Sequence, residues 1–328
     1  MRIFPGRAPY GALLAFLAVD VAWLLAAGTS VDMGSAAPSL AATAALACAA
    51  FALRIASAGP GRGIVVRDQT VVRPALVDTA IVAAEAYVFL LCSWNVVRVL
   101  NHLSMTLALP LADDMLASWD AALGLDWNAY FAFVAARPAL ADFLGASYTS
   151  LTPVSAFALL GLLAFGRVRQ AEFFVVTFFA TAVVCTAAGA FFPAEAAVAH
   201  LLDRPELIAS FSIEPGLYHL AHLEALRSGA MPVFDLENLP GLVTFPSFHT
   251  AAGVVVAWCY RRTLLFWPVS AYAAMMIAAT PVFGGHYFVD LIAGTAVALS
   301  VLVFTGSLRR YRGLFAEAAA GRDLPVPA

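Results

Sequence analysis

The stretch TFPSFHTAAGVVVAWCYRRTLLFWPVSAYAAMMIAATPVFGGHYFVDLIAG, Thr244 to Gly294, sets a histidine beside an apolar run near each of its ends. Pro246 and Ser247 end the preceding loop and Ser247 is a natural N-cap, so His249 is expected in the first turn of a helix, among unpaired backbone N–H groups. At the other end Gly284 and Gly285 free the backbone before His286, and Asp290 follows one turn later on the same face. Between the histidines the chain reads as an apolar run to Tyr260, the pair Arg261 and Arg262, and a second apolar run from Leu264 to Ala279. This is the pattern of an out-and-back helical hairpin, which returns His286 to the membrane face where His249 started. The first arm, about 14 residues at ~1.5 Å each, is short against a hydrocarbon core of ~30 Å, which sinks both histidines near the headgroup boundary.

The rest of the chain is of the same kind. It has 328 residues, is 62% hydrophobic and 12% charged, and its mean hydropathy is +0.86. That composition predicts an all-α fold, a polytopic membrane helical bundle. About eight spans are expected: Tyr10–Gly28, Leu40–Ala58, Thr79–Leu100, Ala139–Phe165, Ala171–Phe192, the two arms of the hairpin, and His286–Phe304. The first could be mistaken for a cleaved secretory signal; its length and the interrupting Asp20 favour a retained span.

All 18 basic residues are arginine. Arg2, Arg7, Arg54, Arg62, Arg67, Arg73, Arg167, Arg169, Arg261, Arg262, Arg309, Arg310 and Arg312 fall on the face of the N-terminus, so both termini are expected in the cytoplasm and both histidine motifs outside. The lysine-free, alanine-rich composition suggests a bacterial inner membrane. A net charge of −3 without a basic run excludes nucleic acid as a partner. Cys48, Cys92, Cys185 and Cys259 are far apart in apolar runs and read as core thiols.

Glu85 is expected to be a structural carboxylate facing the bundle. Asp113, Asp114, Asp120 and Asp126, mixed with Trp119, Trp127 and Tyr130, suggest a helix lying in the interface with a solvated acidic face rather than a metal site. His219, His222 and Glu224 lie in a helix closed by Gly229; lacking a further ligand at matching spacing, they read as interfacial rather than metal-binding.

Helix N-termini bind anions, and two of them carrying His249, His286 and Asp290 point to a phosphoryl group attacked by an imidazole. Asp290 would accept the ring N–H of His286 and leave the other nitrogen to attack. His249 would protonate the leaving oxygen and later take a proton from the acceptor, with Ser247 and nearby amides on the phosphoryl oxygens. Water as acceptor makes a phosphatase and a lipid hydroxyl makes a transferase. Two other classes stay open: a metal-dependent hydrolase with His249, His286 and Asp290 as ligands, and a lipid or anion transporter with Asp20 and Glu85 as carriers.

FPSFH, Phe245 to His249, and GGHYFVD, Gly284 to Asp290, resemble the second and third signatures of the type 2 phosphatidic acid phosphatase superfamily. PSFH with HYFVDLIAG is similar to its branch of inositolphosphorylceramide synthases, the aureobasidin-resistance type. The resemblance implies a six-helix catalytic core over 76–308, with outward loops at about 101–138 and 194–245. Two extra helices and a cytoplasmic connection would occupy 1–75, and a basic cytoplasmic tail 309–328. It implies a phosphohistidine at His286 with Asp290 as partner and His249 as acid/base, a lipid phosphate or phospholipid as substrate, and no cofactor or metal. Two positions depart from the phosphatase pattern KxxxxxxRP and SRxxxxxHxxxD. Ala197 stands where the lysine would be, ahead of Arg204 and Pro205, and Thr280 stands where the arginine would be. The phosphate then needs another cation, for which Arg227 is the first candidate and Arg204 the second.

Overall fold

The computed structural model describes residues 3–57, 76–308 and 311. Helix α1 (Arg7–Ala27) stops at Gly28, whose φ of 65° is the left-handed cap that glycine adopts without strain. Strand β1 (Ser30–Val31), α2 (Met33–Ser57) and α3 (Leu76–Met105) follow. Two short helices, α4 (Asp113–Ala122) and α5 (Trp127–Ala135), lead to α6 (Pro138–Thr149), α7 (Leu151–Ala164) and α8 (Val168–Gly189). A long loop then carries α9 (Ala197–Leu201), a 3-10 turn over Pro205–Ser210, α10 (Leu220–Arg227) and strand β2 (Val233–Phe234). The chain returns through α11 (Phe248–Tyr260), α12 (Phe266–Phe283) and α13 (Phe288–Ser307).

The chain is a polytopic helical bundle. Among the described residues six helices, α1, α2, α3, α8, α12 and α13, are long and apolar enough to cross a membrane, and α6 with α7 makes a seventh if the bent pair is one span. Helix α11 is apolar but has 13 residues, about 20 Å of helix against a core of ~30 Å. Leu25, Phe51, Phe157, Leu264 and Phe304 stand exposed around the bundle, as side chains facing lipid would.

The expected span Ala139–Phe165 is instead two helices meeting at 60°. Pro153 is the cause: it has no N–H for the carbonyl of Thr149, and its ring clashes with that carbonyl. The break is sealed from α12 by Tyr272, whose hydroxyl donates to the carbonyl of Ser147 at 3.2 Å and lies 2.8 Å from Ser150 Oγ. A second difference from the all-α expectation is small. Strands β1 and β2 pair in parallel, Ser30 opposite Val233 and Val31 opposite Phe234, and tie the α1–α2 turn to the long loop.

Among the described residues, the two largest of four apolar clusters pack the bundle around the site. One, around Phe89, Leu159, Phe173, Phe174 and Val255, joins α3, α7, α8 and α11. The other, around Leu116, Trp127, Phe131, Leu144, Phe283 and Tyr287, joins α4, α5, α6 and α12 and lies beneath the histidines. Glu85 is buried and paired with Arg54, and it accepts the amide of Phe4 at 2.9 Å. Asp20 is buried as well, with no hydrogen-bond partner for either carboxylate oxygen among the described residues. Arg167 donates to the carbonyl of Arg262 at 2.8 Å, joining two of the arginine-bearing turns. Arg2, Arg62, Arg67, Arg73, Arg309, Arg310 and Arg312, and the tail apart from Tyr311, lie outside the described residues.

Candidate active site

Helix α11 begins as its sequence requires. Ser247 Oγ accepts the amide of Thr250 at 3.3 Å, while the Ser247 amide donates to the carbonyl of Asp290 at 3.0 Å. Among the described residues the amides of Phe248 and His249 have no partner. Gly294 allows α13 to lie against this turn, since a Cβ there would run into the Ser247 carbonyl.

His286 stands between α12 and α13. Its Nδ1 is 3.1 Å from Asp290 Oδ2, which also accepts the amide of Tyr287 at 3.0 Å, and its Nε2 is 3.3 Å from Ser247 Oγ. Asp290, His286 and Ser247 therefore form one row that points the imidazole from α13 toward the open amides of α11. Burial pushes the His286 imidazole down to about 4 from its ordinary 6.5, the Thr244 carbonyl opposing weakly, so the ring is neutral at neutral pH. Half-buried His249 stacks on Tyr148, ring centroids 4.1 Å apart and planes 17° apart, and Tyr148 Oη is 3.1 Å from Tyr218 Oη.

Only two of the four carboxylates of the acidic segment, Asp114 and Asp126, lie on a solvated face. Asp113 and Asp120 are 3% and 2% exposed. Asp120 accepts the amides of Phe288 and Val289, each at 2.8 Å. Asp113 accepts the Tyr287 hydroxyl at 2.8 Å and the amides of Glu195 and Ala196 at 2.9 and 3.2 Å. Asp126 caps α5, and Asp114 projects outward near His200. Asp113 and Asp120 are buried because they are seven residues apart, two helical turns, and share a face with buried Leu116. That spacing was the available signal, and the mixture of acids and aromatics obscured it.

One consequence corrects the expectation of two open helix N-termini. The first amides of α13 are filled, Tyr287 by Asp290 and Phe288 and Val289 by Asp120, so α11 is the end with free donors.

The remaining predicted residues lie elsewhere. Arg227 donates to the carbonyl of Leu109 at 2.8 Å, in a cleft of ≈620 Å³ where α1, α3 and α10 all end. Three C-terminal ends present carbonyls there, which suits a cation and repels an anion. Arg204 is half exposed beside Asp203 at 3.6 Å. Arg98 donates to the carbonyls of Leu236 and Leu239, and Arg137 lies over Phe133. Among the described residues no arginine is hydrogen-bonded to Ser247, His249, His286 or Asp290. The two departure positions do reach the site, both uncharged. The Ala197 amide donates to the carbonyl of Gly285 at 2.7 Å. Thr280 Oγ1 donates at 2.7 Å to Ile277 O, the carbonyl that Pro281 leaves unpaired.

His219 and His222 part company. His219 is buried with Nε2 2.9 Å from the Glu195 carbonyl, and burial lowers its pKa to about 4, whereas His222 packs edge-on against His102. Among the described residues no group of three or more His, Cys, Asp or Glu is arranged to hold a metal ion.

The chain matches the PAP2 superfamily over residues 114–304, more than half its length. No curated protein and no solved structure matches it.

Proposed function

We propose a function from one premise: this chain belongs to the PAP2 superfamily. Membership supports phosphatase or phosphotransferase chemistry in general. The reading favoured here is an integral-membrane lipid phosphotransferase that works through a phosphohistidine at His286. The observation that carries it is the row Asp290, His286, Ser247, which aims a neutral ring nitrogen at the open end of α11.

The Nε2 lone pair attacks phosphorus as the bond to the leaving oxygen breaks, and His249, which takes up a proton as the anionic substrate binds beside it, gives that proton to the leaving oxygen. Asp290 holds the Nδ1 proton and the positive charge that the ring acquires. An acceptor hydroxyl then attacks phosphorus and passes its proton to His249, and the electron pair of the P–N bond returns to Nε2. Ser247 and the amides of Phe248 and His249 hold the non-bridging oxygens.

The charge balance favours a phosphodiester over a phosphomonoester. A helix end supplies roughly half a positive charge, while Asp113, Asp120 and Asp290 stand behind the nucleophile. A monoanion suits that field better than a dianion. Transfer to a lipid hydroxyl is thus preferred to release of phosphate, as in the inositolphosphorylceramide synthase branch that PSFH and HYFVDLIAG resemble. The same reading takes α11 and the bent α6–α7 pair as the seventh and eighth spans. It places both termini in the cytoplasm of a bacterial inner membrane and the histidines outside, because the loops at the opposite end carry the arginines.

The test compares purified wild type with His286→Ala in detergent, with a strong chelator present, using phospholipid labelled at phosphorus. A new labelled lipid that disappears in the variant is the expected result and identifies the acceptor. A labelled phosphomonoester or free phosphate without a new lipid would make water the acceptor and the protein a phosphatase-type hydrolase, and unchanged turnover in His286→Ala would overturn the reading.

A further inference from the structure

We infer that α4 is the positioning element of this site: Asp120 directly, and Asp113 through Tyr287, fix the loop that carries His286 and reserve the end of α11 for the migrating phosphorus group. The inference rests on the reading of His286 as nucleophile and deepens it.

The amides of the two helices show why. At α13 the amide of Tyr287 goes to Asp290, those of Phe288 and Val289 to Asp120, and that of Asp290 to the Tyr287 carbonyl. At α11 the amide of Thr250 goes to Ser247 Oγ and that of Ala251 to the Ser247 carbonyl, while Phe248 and His249 keep theirs. A phosphorus group on Nε2, the nitrogen beside Ser247, therefore meets donors on α11 only. Without the Asp120 carboxylate, two further amides would open at α13 and compete for the same oxygens.

The other wall of the loop is tied to the same helix. Asp113 holds the Tyr287 hydroxyl and also the amides of Glu195 and Ala196. Ala196 has φ of 120°, a strained value for a residue with a Cβ, and such a conformation persists only where its surroundings fix it. The next residue, Ala197, donates to the Gly285 carbonyl, one position before the nucleophile. From α5, Trp127 Nε1 donates to the carbonyls of Pro281 and His286, each at 3.2 Å. The carboxylates of α4 thus grip the His286 loop from both sides, two turns apart on one rigid face. A displacement of the nucleophile by about 1 Å costs on the order of a hundredfold in rate.

The experiment uses the full chain in detergent with the labelled phospholipid. Asp120→Asn keeps the side-chain shape but turns an N–H donor toward amides that are themselves donors. We expect kcat to fall about a hundredfold with KM within about twofold, since substrate is bound at α11 and only the attack is misaligned. Tyr287→Phe deletes one oxygen and keeps the packed ring, so it tests the same linkage should Asp120→Asn fail to fold; kcat should fall about tenfold with KM again unchanged. Asp114→Asn, on the outward face of α4, is the control and should retain wild-type kcat. A merely structural role would reduce the amount of folded protein and leave kcat per folded molecule intact, and that result for both variants would overturn the inference. If His286→Ala abolishes turnover while the α4 variants keep it, the assignment of α4 alone fails. If His286→Ala keeps turnover, the reading of the site fails first.

Discussion

The phenol ring of Tyr148 lies flat on the imidazole of His249, 4.1 Å away, so the plane of the proposed acid/base is set by a residue from another helix. Tyr148 lies in the last turn of α6, just before the break that Pro153 imposes, and its hydroxyl is held by Tyr218. Tyr148→Leu removes the stack and should lower kcat about tenfold, whereas Tyr148→Phe keeps it and should cost less than about threefold. Steady-state turnover of the two folded variants checks this; equal losses would assign the effect to the hydroxyl.

Asp290→Asn leaves a neutral amide against Nδ1 of His286 and permits the tautomer that carries the proton on Nε2. The attacking lone pair is then absent, and kcat should fall by roughly three to four orders of magnitude. Acid-labile, base-stable label on the protein after rapid mixing with substrate should disappear in parallel. Normal accumulation of that label would show that Asp290 acts after the attack.

His286 and His219 are both held neutral by burial, with pKa values of about 4 against the ordinary 6.5. Below about pH 6.5 the unfolded chain takes up protons that the folded chain refuses. Their contribution to stability is therefore complete above that pH and is lost as the pH falls toward 4, by on the order of 3 kcal/mol for each ring. Thermal midpoints measured from pH 7.5 down to about 4.5 should drop steeply in wild type and less in a variant with asparagine at both positions. Identical slopes would show that these rings are not the source of acid sensitivity.

Gly294 carries the close approach of α13 to the first turn of α11. Gly294→Ala improves helix propensity, yet its methyl group would collide with the Ser247 carbonyl, and overpacking of this kind costs about 1–3 kcal/mol. A lowered thermal midpoint with reduced kcat is expected, because the clash moves Ser247 away from His286. A gain in stability would show that the helices can separate without loss.

The sequence made the helical bundle, the Ser247 cap and the pair His286–Asp290 legible because each rests on local spacing: apolar runs of span length, an N-cap three residues before its amide, and a histidine and carboxylate one turn apart. Residues whose partners lie far along the chain were harder to read. Asp120 meets Phe288 and Val289 across more than 160 positions, and Tyr148 meets His249 across about a hundred, so neither pairing leaves a local pattern. In the sequence Arg227 is a candidate by reach alone, since a loop of its length can bring it to the histidines. The Leu109 carbonyl instead accepts its N–H, in the cleft where α1, α3 and α10 end. The break in the fourth span had a visible cause in Pro153, masked by the unbroken hydrophobicity around it.

The short parallel pairing of Ser30–Val31 with Val233–Phe234 bears on how this protein could be dissected. Its two partners belong to stretches separated by some two hundred residues, and only one lies within 114–304. A fragment trimmed to the matched region would leave β2 with an open edge and Leu236 without the Ser35 hydroxyl that accepts its amide. The matched region and the unit held together by contacts therefore differ, and the turn between the first two helices is part of the surface on which the outer loop rests.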